Sequence, residues 1–166
     1  PGRGDHRRPR QHPCAHADDE DPRDDLITPA GRGQPGQRPD QHRRIADAGI
    51  WVSNNPYYYY ELSGPYSRQG LGPERASKIS AVGSLERLKV PLSFHSDYFM
   101  APVEPLLLVW SAVNRINSDG AVLAPEEKVT LFTAMKAVTI EAARSLQREK
   151  EIGTIAAGKR ADFVIL

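Results

Sequence analysis

An α/β fold with parallel strands is the class this sequence predicts, and three observations carry it. Two short apolar runs, 50–53 and 90–94, read as buried strands. A stretch with apolar residues every third position, 74–89, lies between them. Further helical patterns follow the second run. Strands separated by helices imply βα units and a parallel sheet. No internal repeat stands at a fixed period.

The front of the chain is different in kind. Residues 1–40 hold seven of the fourteen prolines, seven arginines and seven aspartates, and no Lys, Phe, Trp, Tyr, Val or Met. Such a segment buries too little apolar surface to offset the entropy of ordering it, so disorder is expected there. It also explains why apolar residues make up only 39% of the chain, against roughly 45–50% in ordinary domains. Its vocabulary matches a GC-rich gene read out of frame, so a frameshifted or misassigned start is a further expectation. Arg7 and Arg8 read as part of a solvated tail balanced by aspartates rather than as a phosphate contact. His12, Cys14 and His16 have a spacing that could grip a metal, but nothing around them would orient the ligands.

From Gln41 the texture becomes that of a folded domain. Residues 43–49 read as a helix end with Gly49 just past it. The strand 50–53 is broken by Asn54-Asn55-Pro56. Tyr57 to Tyr60 and the Gly/Pro-punctuated stretch to Pro73 suggest a long loop, either functional or simply covering apolar surface with its tyrosines. Residues 74–89 form a helix with Ile79, Val82, Leu85 and Leu88 as its stripe. The strand 90–94 tolerates Pro91 at its start. Residues 105–114 suit a buried helix with Pro105 in its first turn.

Pro125-Glu126-Glu127 opens the next expected helix, with acids in its first turn and Val129, Phe132, Met135 and Val138 as its stripe. Thr139 would cap a short helix, 140–146. Residues 152–166 have a hairpin signature around the turn 156–159. The final strand stops on Leu166 with no polar tail, so a shortened C-terminus is expected, as is a fragment from a start at Pro1. The domain division expected is 1–40 as a non-native or disordered segment, 41–148 as the α/β part and 149–166 as a hairpin.

Charge excludes some functions. With 22 basic and 21 acidic side chains, the balance favours neither nucleic acid nor an anionic membrane. The longest apolar run falls well short of the roughly 20 residues of a membrane span. One cysteine fits a reducing, cytoplasmic setting.

Ligands in parallel α/β folds gather at the carboxyl ends of strands. His95-Ser96-Asp97 lies at such an end, and residues two apart on a strand share a face. His95 and Asp97 could thus enter one mouth, where a carboxylate binds a cation or takes a proton from water. The structural alternative has Asp97 capping the loop and His95 packed in the wall.

The residues 95–102, with Pro105-Leu106 and Ala112-Val113-Asn114-Arg115 after them, resemble the eighth-strand region of the metal-dependent amidohydrolase superfamily, its family 3 branch above all. Val138-Thr139-Ile140 with Ala142-Ala143, the run 152–155 and the run 158–166 resemble the family's closing segments. The resemblance implies the last units of an incomplete (β/α)8 TIM-type barrel, with the closing hairpin in a small β-sandwich. It implies hydrolysis of non-peptide carbon–nitrogen bonds in small amides or cyclic amides, with a divalent metal, zinc first, activating water. Asp97 would be metal ligand and catalytic proton acceptor. His95, Tyr98, Phe99, Asn54 and Tyr57 would line the substrate pocket. The family's His-x-His pair and its middle-strand ligands are absent from this sequence, and His42 lies in the wrong element to replace them. Weak or absent activity of the chain alone is therefore expected, as is self-association through exposed barrel edges. The alternative is a non-catalytic remnant serving as an interaction or regulatory protein.

Overall fold

The computed structural model describes residues 39–165. The expected disorder, frameshift and His12–Cys14–His16 ligand group fall almost wholly outside them. The described elements run α1 (Pro39–Asp47), β1 (Val52–Asn54), α2 (Tyr57–Arg68), α3 (Gly72–Ser77), α4 (Val82–Arg87), β2 (Leu92–Phe94), α5 (Pro105–Asn114), a 3-10 turn (Pro125–Glu127), α6 (Leu131–Val138) and α7 (Ile140–Ser145). The two strands pair in parallel, Val52 beside Leu92 and Asn54 beside Phe94. The α/β class with a parallel sheet is what the sequence predicts. No helix among the described residues is long and apolar enough to cross a membrane.

One face of the sheet meets the helices. Leu92 and Phe94 join Ile45, Leu85, Leu108, Val109, Ala112, Ala134 and Ala137 in one buried cluster, with Val52 against it. At roughly 25 cal/mol per Å² of buried apolar surface, this cluster is the main favourable term holding α1, α4, α5 and α6 to the strands. A second cluster of Tyr59, Ala76 and Ile79 joins α2 to α3.

Five expectations need correction. The stretch expected as a long loop, 57–73, is mostly helix: Pro56 precedes the first turn, and α2 carries Pro65 inside it. Tyr59, Ser63 and Gly64 bury one face, a helical spacing hidden by their mixed chemistry. The single helix expected over 74–89 is two, α3 and α4, broken where Ser80 takes a left-handed φ of 53°. Arg115 compensates for the break, its guanidinium donating to the carbonyls of Ser77, Ile79 and Ser80 at 2.8–3.0 Å.

Pro125 opens only a 3-10 turn, and α6 starts at Leu131 behind Thr130, whose Oγ1 accepts the Thr133 N–H at 3.1 Å. Val129 precedes that helix, so spacing counted from it marks the wrong face. Ala134 and Ala137 are buried, while Phe132 is 75% exposed. Thr139 caps nothing with its side chain; its hydroxyl donates to the Met135 carbonyl. The expected hairpin over 152–166 does not form among the described residues. Arg160 N–H reaches the Glu151 carbonyl at 2.9 Å, but 161–165 belong to no strand and have no ladder partner among the described residues. A lone two-stranded hairpin is marginal without a face to pack on, and Phe163 and Ile165 stay exposed.

Candidate active site

The carboxyl ends of β1 and β2 lie side by side, and short-range chemistry ties their exit loops together. Asn55, 2% exposed, donates from Nδ2 to the Ser96 carbonyl at 3.0 Å. Its Oδ1 accepts the Tyr57 N–H at 3.0 Å, an Asx turn that starts α2. The His95 N–H donates to the Asn54 carbonyl at 3.0 Å, extending the ladder one step beyond β2. The Ser80 hydroxyl donates to Asn54 Oδ1 and to the Asn55 carbonyl. Ser80 in turn is fixed by Arg115. A buried guanidinium thus sets the geometry of both strand exits.

Asp97 sits in the turn after β2 with φ 55°, and Tyr98 follows at φ 33°. Asp tolerates the left-handed region better than Tyr, so the strain falls on Tyr98. The Tyr58 hydroxyl donates to the Asp97 carboxylate. Burial and this bond push the Tyr58 phenol up to about 12. Asp97 is exposed, three residues beyond the last strand position, so the shared-face spacing from His95 does not apply there. Burial lowers the pKa of His95, with Asp97 partly opposing, so the imidazole is neutral near pH 7.

The other expected pocket residues are partly gathered. Tyr57 donates to Glu61 at 2.6 Å and stacks on Tyr60 with centroids 5.3 Å apart. Tyr98 and Phe99 pack edge to face at 4.5 Å, both largely exposed. Asn54 is turned to Ser80 rather than to Asp97. Sequence reasoning missed Asn55, Tyr58, Ser80 and Arg115. The Asn-Pro dipeptide signalled Asn55; nothing local signalled Ser80. A separate cleft of about 370 Å³ is lined by His42, Lys78, Arg87, Glu126 and Glu127, without Asp97. Among the described residues no three His, Cys, Asp or Glu side chains are grouped to hold a metal.

A model of the amidohydrolase family matches residues 13–166, starting inside the proline-rich front segment. The N-substituted formamide deformylase of Arthrobacter pascens is 32% identical over 126 residues, 76% of this chain and 23% of that protein. Protein LONG AFTER FAR-RED 3 of Arabidopsis thaliana is 39% identical over 131 residues, 77% of this chain and 22% of that protein. The solved structure of an uncharacterized metal-dependent hydrolase from Pyrococcus furiosus superposes with a TM-score of 0.61 at 27% identity, over 75% of this chain and 25% of the other. The chain spans about a quarter of the length of the proteins it matches.

Proposed function

Because the chain belongs to the amidohydrolase family, we propose that it carries the Asp97-bearing part of a hydrolase for carbon–nitrogen bonds in small non-peptide amides. The observation that carries this reading is Asp97 in the turn leaving β2, beside the end of β1, with the Tyr58 hydroxyl on its carboxylate. An exposed carboxylate so held can take a proton from an attacking water and return it to the leaving nitrogen. Tyr58 orients the carboxylate, and Asn55 holds the two exit loops at a fixed distance. Tyr57, Tyr98 and Phe99 offer aromatic surface at the mouth for the substituents of an amide. The similarity to a formamide deformylase supports a small amide as substrate.

Zinc is the divalent metal this chemistry would use. The described residues do not make a site for it, since Asp97 and His95 stop short of the three ligands a catalytic ion needs. The reading extends to β1 and β2 as neighbouring strands of a (β/α)8 barrel, with 41–148 as barrel and 149–166 as a second unit. Exposed Phe132, Phe163 and Ile165 support self-association at high concentration.

The test is turnover of an N-formyl amine by the purified chain, with and without zinc. Little or no hydrolysis and less than one bound zinc per chain are the expected results. Vigorous zinc-dependent turnover abolished in Asp97→Asn would make the chain a self-sufficient enzyme instead. The second reading, a non-catalytic remnant, is favoured by the absence of a ligand group among the described residues. Residual zinc-stimulated turnover that Asp97→Asn removes supports the hydrolase part; a remnant shows none in either form.

A further inference from the structure

The two faces of the sheet differ. Val52, Leu92 and Phe94 face the helices, and Ile50 packs against the same cluster. By the alternation of a strand, Trp51, Ser53, Ser93 and His95 belong to the opposite face. Ser53 and Ser93 are register partners on it. Parallel strands buried on both faces are ordinarily apolar throughout. This face instead carries an indole, two hydroxyls and an imidazole.

Three of these groups are buried without a hydrogen-bond partner among the described residues: Trp51 Nε1, Ser93 Oγ and His95 Nε2. The other three such atoms, Ser63 Oγ, Ser111 Oγ and Arg115 Nε, are scattered over α2, α5 and the residue that caps α5. Ser93 is 2% exposed, while Ser53 beside it is exposed. A buried polar group left unmade costs about 1–3 kcal/mol, so three on one face call for a polar occupant.

We propose that Ser93, His95 and Trp51 form the polar wall of a binding site for the amide group of a small ligand. Trp51 can only donate, and so requires an acceptor oxygen. The His95 ring nitrogen and the Ser93 hydroxyl can each donate or accept, and so match an amide carbonyl and its N–H together. A carboxylate, which only accepts, could take all three groups as donors, so acetate is the control that the titration must include. The inference rests on the amide-hydrolase reading for its ligand class, and it adds binding residues upstream of Asp97.

The experiment is a titration of the full chain with N-butylformamide, without added metal, followed by the Trp indole N–H signals in two-dimensional NMR. Trp110→Phe assigns the two indoles. The Trp51 signal should move saturably with a dissociation constant on the order of 10 mM, as suits so few heavy atoms. Ser93→Ala should weaken binding about tenfold while leaving Tm unchanged or raised, because it deletes an unpartnered hydroxyl. A lowered Tm would reveal an internal partner for Ser93 and overturn the proposal. So would a Trp51 signal indifferent to the amide, or one that follows sodium acetate and not the amide. Asp97→Asn in the same titration keeps the two ideas apart. A Trp51 signal that moves saturably while any residual turnover is indifferent to Asp97→Asn sinks the enzyme reading alone; an unmoved Trp51 beside residual turnover that Asp97→Asn removes sinks the polar wall alone.

Discussion

Arg115 shows how one side chain can replace a stretch of secondary structure. It is 1% exposed, lies 4.0 Å from the centre of the Tyr59 ring, and supplies donors to three main-chain carbonyls that no helix satisfies. Burial pushes its pKa down to about 10, with Tyr59 and Glu127 holding it up, so it stays charged at neutral pH. Lys cannot present the same planar fork. Arg115→Met should cost about 3 kcal/mol, read as a lowered urea midpoint, because the Ser77 and Ile79 carbonyls lose their Arg115 donor and the Ser80 carbonyl keeps only the Val82 N–H. Glu127 is the acidic counterpart. It is 3% exposed and accepts from the Ser84 N–H and hydroxyl, both at 2.6 Å. Glu127→Ala should also cost about 3 kcal/mol. Gly83 lies against the same residue: a Cβ there would fall 2.6 Å from Glu127 Cα. Gly83→Ala should therefore destabilise by about 2 kcal/mol, measured by urea unfolding, since the obstacle is backbone.

Helix α1 holds His42 in a buried position, and burial lowers its pKa below 6.5, with Arg87 and Lys78 adding and Glu127 opposing. The native state therefore prefers the neutral imidazole. The unfolded chain binds the proton first as pH falls, so this contribution is whole above 6.5 and is lost as pH drops through the folded value. The urea midpoint of the wild type should decline on acidification below that point, and His42→Gln should flatten the decline. At α6, Thr130 caps the first turn and also donates to Glu86 at 3.0 Å. Thr130→Ala should cost about 1 kcal/mol in urea unfolding. These elements also show what was legible in the sequence. Helix α5 was readable end to end because Pro105 starts it and its apolar run is interrupted by Ser111 alone before Asn114. Helix α2 was not, because its buried face uses Tyr59, Ser63 and Gly64, which carry no hydrophobic period. The break at Ser80 depends on Arg115, thirty-five residues away, so no local window contains it. At the site, the turn holding Asp97 was foreseeable from the strand before it. The tie through Asn55 and Tyr58 needed the two strand exits in one frame.

At the scale of the whole molecule, the described residues make a layer of helices on one side of two strands, with the other side chemically distinct. The apolar side explains cohesion, and the polar side explains why Ser53 and Ser93 stand as register partners in a parallel sheet. Phe132, Ile155, Phe163 and Ile165 leave apolar surface exposed at the periphery. Sedimentation at rising protein concentration should show reversible association that Phe132→Ser with Ile165→Ser reduces; a monomer at every concentration would remove that expectation.

The parallel pairing of Val52 with Leu92 has a kinetic consequence. These partners are forty positions apart along the backbone, with α2, α3 and α4 between them. No tight turn can zip them, so the chain must close that long excursion before the sheet returns its first hydrogen bond. Nucleation should accordingly begin among the helices, and Leu85 or Tyr59, rather than either strand, should carry the higher φ-values when refolding rates of truncation variants are compared.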